Sequence, residues 1–250
     1  MNLLRLLRRE WILFTLLVLA GAAVCIALGI WQLNRLRQRR ASNAQVSTIQ
    51  AMAPLELPAE AGSNDLTTMQ YRRVNATGMF DGAHQVAILN HYNEGEYGYH
   101  LMTPLVMSGG DAILVDRGWI PPETNSSPAS WHQYDVTSAV AVHGIIQLSA
   151  PAPVFGAATD PTLMPGQTGL DRWIHVNIPR LAQQVPYPLL PVYIEPDPVP
   201  GATTPPIPSQ DQPDLSDGPH LGYAVQWFGF ATIMLVGYPF YVRRRETPSK

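Results

Sequence analysis

A single cysteine, Cys25, is the only thiol in 250 residues. One thiol excludes an intrachain disulfide, and the absence of a CxxCH run excludes covalent attachment of a c-type haem. Charge is also scarce, at 14% of residues. Residues 41–219 hold five arginines against seventeen Asp and Glu, a balance of 5 − 17 = −12. That stretch has no basic patch, which excludes nucleic acid as a partner. GxSxG, GxGxxG, a Walker loop and HExxH are all missing, and no two histidines stand at the i, i+4 spacing of a helical zinc site. The sequence offers no placed nucleophile and base, so the chain is expected not to be an enzyme.

Two long apolar runs stand out against this background. Residues 11–30 and 221–242 contain no charge. About twenty apolar residues, at 1.5 Å rise each, cover a hydrocarbon core of roughly 30 Å. Buried core helices are the alternative, but both runs are apolar all round and end in arginines and aromatics, as membrane spans do. The first run exceeds the roughly 7–15 residues of a signal-peptide core, so a retained anchor is expected. "LAGAAVC" hints at a lipidated Cys25, but Val24 is large for the residue before such a cysteine. The expected order is a tail (1–10), a first span (11–30), a connector (31–69), an outer β-rich domain (70–195), a proline-rich linker (196–219), a second span (221–242) and a tail (243–250).

Arg5, Arg8 and Arg9 precede the first span; Arg243, Arg244, Arg245 and Lys250 follow the second. Positive ends stay in the cytoplasm, so the acidic middle should face outward. "RLRQRR", just after the first span, runs against this assignment. No amphipathic, Arg- and Ser-rich leader precedes the first run, which favours a bacterial inner membrane over an organelle.

The middle region alternates with period two. "QYRRVNATGMF" reads as a strand with Val74, Ala76 and Gly78 on one face, and Asp81-Gly82 as a turn before "AHQVAILNHY". "GYHLMTPLVM" and "AILVDRGWI", joined by "SGGD", form a tight pair. "AVAVHGIIQL" makes a fifth strand, "VYIEP" a candidate sixth and "PRLAQQV" one short helix. Short strands with glycine turns predict a membrane-anchored α+β protein whose outer domain is a small antiparallel β-barrel or sandwich. Residues 121–133 read as a loop. Residues 186–219, with eleven prolines in thirty-four, read as extended chain short of ladder hydrogen bonds. Asp116 and Arg117, adjacent on a strand, point to opposite faces and suggest structural pairing rather than catalysis. Gly78 and Gly118 are expected where chains crowd. His84, His91 and His100 lie on or beside strands and form no recognisable metal motif.

The remaining candidate lies where the two spans meet the outer surface. Trp31, Gln32 and Arg35 leave the first span near the depth at which His220, Tyr223 and Trp227 enter the second. On a helix His220, Tyr223 and Trp227 share a face. An ordinary aromatic belt with a snorkelling arginine explains Trp31, Trp227 and Arg35. It explains His220 less well, since an ionisable ring at a span's mouth suggests function. A haem suits the place: imidazole for iron, aromatic walls for the macrocycle, arginine for propionates. Asp217 or Gly218 is expected to cap the second helix, with Pro219 as its first residue.

"LGIWQLNRL", "YRRVNATGMF", "GYHLMTPL", "ILVDRGWIP" and "HLGYAVQWFGFA", in that order, resemble the SURF1 (Shy1) family of cytochrome oxidase assembly factors. The resemblance implies two spans, an outer domain, and a role in maturing the haem-bearing catalytic subunit of a terminal oxidase. For bacterial members it implies haem a binding, with His220 as the ligand position. Pro219 stands where the family commonly has a polar residue such as asparagine. The expected partners are that catalytic subunit, the haem a synthesis enzyme and the lipid bilayer. The alternative is a membrane scaffold that stabilises a partly assembled oxidase subunit without touching haem.

Overall fold

The computed structural model describes residues 8–122, 128–149, 159–164, 166–167, 169–209 and 213–246. In chain order the elements are α1 (Ile12–Ala51), β1 (Leu55–Leu57), β2 (Arg73–Phe80), β3 (Val86–Asn93), β4 (Glu96–Met107), β5 (Ala112–Ile120), β6 (Val140–Leu148), β7 (Arg172–Trp173), α2 (Ile178–Leu181), β8 (Leu189–Pro196), α3 (His220–Thr232) and α4 (Tyr238–Glu246). They fall into two compact units, Val46–Asp214 and the terminal segments Met1–Gln45 with Leu215–Lys250.

The Val46–Asp214 unit is a barrel. β2, β6, β8, β5 and β4 pair in that order, and the ring closes where Gly78–Phe80 of β2 meets Leu105–Met107 of β4. β3 and then β7 extend the sheet from β4, and β1 lies on β2. Most pairings are antiparallel, as the alternating strands predicted. β5–β8, β1–β2 and β3–β7 are parallel. Val74, Ala76, Leu105, Ile113, Val115, Ile146 and Ile194 fill the interior. Leu114 on the opposite face of β5 packs with Val86, Met102 and Trp173. This second layer buries β5 on both sides, so its sequence reads as a continuous apolar run rather than an alternation.

Close chain crossings need glycine. A Cβ on Gly78 would overlap the Val106 carbonyl at the closure. Gly118 has φ +111°, a region L side chains rarely adopt, and a Cβ there would overlap the Ile207 carbonyl. Ile207 belongs to the proline-rich segment and exchanges two backbone hydrogen bonds with Trp119 (2.7 and 2.9 Å). The segment therefore grips the barrel at that point with two such bonds, in a stretch that the proline content predicted to be short of them. Two turns also differ from expectation. Asp81-Gly82 opens a 3₁₀ turn (Gly82–His84) because the Asp81 carboxylate accepts the Ala83 N–H. Pro128–Tyr134, read as loop, is a 3₁₀ helix anchored by the fully buried Trp131. Residues 123–127 of that loop lie outside the described residues.

The other unit contains two helices long and apolar enough to cross a bilayer. Their apolar side chains face outward: Leu13 is 63%, Val225 65% and Ile233 68% exposed. A soluble core helix would bury these residues, so the surface suggests a membrane protein. α1 does not stop at residue 30. Residues 31–51 contain neither glycine nor proline, and the helix continues to Ala51, with Pro54 just beyond. α3 and α4 are joined by a π-helical turn, Ile233–Gly237. The two apolar helices meet through small residues, as membrane helices do. Gly29 faces the Phe228 ring and Gly21 faces Met234, Ala22, Cys25, Ala224 and Ala231 are buried, and the Thr15 and Tyr238 hydroxyls lie 2.8 Å apart.

Candidate cofactor-binding site

α3 begins at His220, with Pro219 at its N-cap and no side-chain cap. The expected cap by Asp217 does not form, because the carboxylate is taken by Arg40, whose Nε and Nη2 donate to Asp217 Oδ2 at 3.0 and 2.6 Å. That pairing holds the Asp217 carboxyl below the usual range, chiefly through the hydrogen bond, and raises Arg40. Asn43 Nδ2 donates to the Leu215 and Ser216 carbonyls (2.7 and 3.0 Å), and Arg39 Nε to Ser216 (3.3 Å). The far end of "RLRQRR", awkward as a topology signal, thus clasps the approach to α3. Gly218 takes φ +65° in this approach.

The clasp brings His220 to Gln32. The His220 Nδ1 and Gln32 Oε1 atoms are 2.9 Å apart. With the amide oxygen as acceptor, Nδ1 carries the hydrogen, and Nε2 keeps its lone pair. Beside Nε2 is Gly218: a Cβ there would lie 3.6 Å from Cδ2 and 3.8 Å from Nε2. Arg35 lies over the Trp31 ring (5.6 Å) and donates to Gln38 at 3.4 Å. Among the described residues it makes no ion pair. Trp31 is 51% and Tyr223 48% exposed.

Of the predicted residues, the structure joins His220 to Gln32 and Arg35 to Trp31. Trp227 stands T-shaped to Phe230 (6.0 Å), and no ring contact links it to Trp31 or Tyr223 among the described residues. The inward seam of α3 runs through Ala224 and Ala231, so Tyr223 lies on the flank and not on a common face with the buried contacts. The donor set fits a haem: an imidazole with Nε2 beside a residue without a side chain, a guanidinium not committed to a carboxylate, and exposed aromatic surface.

The barrel's histidines are placed differently. Nδ1 of His84, His132 and His143 lies 2.7 Å from Asp81, Asp135 and Asn75. His175 Nδ1 stands 3.7 Å from Asp160. His100 Nδ1 meets Asp116 Oδ2 at 2.8 Å, while Asp116 Oδ1 accepts the Gly118 N–H. His91 stacks on His100 with ring centroids 3.8 Å apart, and burial, followed by the neighbouring ring, lowers it to about 4. Asp116 thus pairs structurally as expected, whereas Arg117 donates to the Tyr134 carbonyl and lies over Phe80. The His91–His100–Asp116 cluster was not legible in sequence, since a bulge between His100 and Met102 sets its register. Among the described residues no three His, Cys, Asp or Glu side chains gather as a metal site.

Comparison with known proteins adds three relatives. An uncharacterized SURF1-like protein of Mycobacterium tuberculosis is 27% identical over 96% of this chain and 89% of its own length. Surfeit locus protein 1 of Arabidopsis thaliana is 23% identical over 93% of this chain and 78% of its own. The cytochrome oxidase assembly protein SHY1 of Saccharomyces cerevisiae is 31% identical over 43% of this chain and 28% of its own. The SURF1 family model matches residues 19–232, which takes in most of α1, the barrel strands and the whole of α3, and the chain belongs to the SURF1 family.

Proposed function

We propose that the chain assists assembly of a cytochrome oxidase by holding haem a, as cargo for the catalytic subunit, at His220. The observation that supports this most is the His220–Gln32 pairing, which engages Nδ1 and leaves Nε2 on the side of Gly218. The assembly role rests on family membership and on a relative whose name states it. The chain acts as an assembly factor and not as a catalyst, and its partners are the oxidase catalytic subunit and the enzyme that makes haem a.

Bound haem would supply an iron that accepts an imidazole nitrogen. His220 Nε2 would hold that iron. Arg35, over Trp31, would neutralise a propionate, while Trp31, Tyr223 and Trp227 would offer apolar surface at the level where a bilayer gives way to water. The basic tails support a reading with both termini in the cytoplasm of a bacterial inner membrane and the barrel outside. A reporter fused at Ser127, which lies outside the described residues, should report the outer side.

The direct test is the spectrum of protein purified from cells that make haem a. A Soret band is expected, and His220→Ala should remove or shift it while expression and membrane insertion persist. A full, unshifted band in His220→Ala would move the ligand elsewhere. A haem-free parent would favour the scaffold role, with the exposed Trp31 and Tyr223 as contact surface.

A further inference from the structure

We infer that Gln32 is a positioning residue for His220: its amide oxygen fixes the imidazole as the Nδ1–H tautomer, and Nε2 becomes the single atom presented for ligation. The inference rests on the proposed cargo site for its purpose, but not for its geometry.

A neutral imidazole has two tautomers, and free in water the ring exchanges between them. Only the nitrogen without hydrogen can donate a lone pair to a metal. The partner of the other nitrogen therefore decides which atom is the ligand. Here that partner is Gln32 Oε1, at 2.9 Å from Nδ1. An amide oxygen is an acceptor only, so this contact requires hydrogen on Nδ1. Nε2 then lies on the side of Gly218, where a Cβ would stand within 3.8 Å of it. The positive φ of Gly218, +65°, keeps that position without a side chain at no conformational cost. The acceptor on Nδ1 thus leaves Nε2 as the nitrogen on the Gly218 side of the ring.

The choice of amide over carboxylate also matters. In the barrel, Asp116 brings a negative charge to His100. At the mouth of α3 the same Nδ1 meets a neutral acceptor. Gln32 orients the ring without adding a charge beside an iron whose macrocycle must share the site with propionates. Its position on α1 also ties ring orientation to helix pairing: Gln32 is one turn beyond Gly29, which Phe228 of α3 packs against. The ring is held only when the two helices are together.

The test needs no haem for its first arm. ¹⁵N-histidine NMR of the apo protein in nanodiscs, at pH 8 to keep imidazoles neutral, should show His220 as the Nδ1–H tautomer. His220→Ala identifies the signal. Gln32→Leu, close in volume and without an acceptor, should release the ring into a tautomer mixture. Gln32→Glu, which restores an acceptor oxygen, should restore Nδ1–H. An Nε2–H tautomer in the parent would mean the amide is turned to donate, and would overturn the inference. An unchanged tautomer in Gln32→Leu would do the same. The second arm measures haem affinity: loss of an orienting partner typically costs 10- to 100-fold, so Gln32→Leu should weaken retention by that factor, and Gln32→Glu, which restores the acceptor but adds a charge, should recover only part of it. If His220→Ala keeps its haem while the tautomer arm behaves as described, the cargo reading fails and the positioning role stands. If His220→Ala loses haem but Gln32→Leu binds as the parent does, the positioning role fails and the cargo reading stands.

Discussion

Gly118 of the barrel and Gly29 of the helix pair are both residues that a larger side chain would displace, but they face different things. Gly118 lies against the Ile207 carbonyl at φ +111°, so backbone meets backbone. Gly29 lies in a helix, and a Cβ there would stand 2.7 Å from the Phe228 ring. The barrel depends on main-chain crossings that no neighbouring rotamer can relieve. The helix pair depends on a side chain filling a notch, and a side chain can be exchanged. The same contrast appears in the apolar residues, which the barrel hides and the helices turn outward.

Gly118→Glu should have the largest effect. It combines a disfavoured φ, overlap with a fixed carbonyl and a charge brought against Ile207 and Trp119, each 6% exposed. Together these cost several kcal/mol. Abundance should fall sharply and the melting transition of what remains should drop. No change at Ile207 should restore it, since the clash is with main chain. Normal melting of the variant would show that the Pro-rich segment does not close over Gly118.

Gly29→Leu should do less and should be rescuable. Overpacking of this kind costs about 1–3 kcal/mol. Shortening the opposing ring with Phe228→Ala should recover part of the loss, and a double-mutant cycle measured by thermal melting in detergent would show the coupling. Strictly additive losses would place the cost elsewhere than at the Gly29–Phe228 notch. Recovery at Gly29 without recovery at Gly118 would confirm that the two units are built on different kinds of contact.

The sequence carried much of this organisation. Period-two alternation in "RRVNATGMF" and glycine turns such as "SGGD" located β2 to β6, because local pattern decides burial there. The two uncharged runs located the helices. Pairings between distant segments were not legible. Parallel β5–β8 pairing and the Ile207–Trp119 bridge depend on a proline-rich stretch whose partners lie far away in sequence. At the candidate site, residue types singled out Gln32, Arg35 and His220, but not their connections. "RLRQRR" read as charge that ran against the outward placing of the middle region, while Arg40 and Arg39 hold Asp217 and Ser216. Tyr223 satisfied a helical spacing with His220 and Trp227, yet it lies exposed on the flank of the seam that Ala224 and Ala231 hold. A helical wheel gives faces, but it takes the partner helix to say which face is inward.

The smallest expected effect concerns His91, and it separates the two units by pH. His91 stacks on His100 and is partly buried; desolvation first, and then the neighbouring ring, lower it from the ordinary 6.5 to about 4, with Asp116 pulling the other way. The unfolded chain therefore takes up a proton near pH 6.5 that the folded barrel refuses until about pH 4. Stability linked to His91 is complete above pH 6.5 and is lost as pH falls through that window. Because the ring is only half-buried, the loss should be about 1–2 kcal/mol and no more. In a domain of this size that amounts to roughly 2–8 °C in melting temperature. His91→Phe keeps a ring in the stack and removes the proton site. The variant's melting temperature should hold up better than the parent's between pH 7 and 5, and the difference between the two proteins cancels the titrating groups that do not touch the His91–His100–Asp116 cluster. The interhelical packing around Gly29 should show no such dependence on His91. Parallel pH profiles for parent and variant would mean that the ring accepts its proton without leaving the stack.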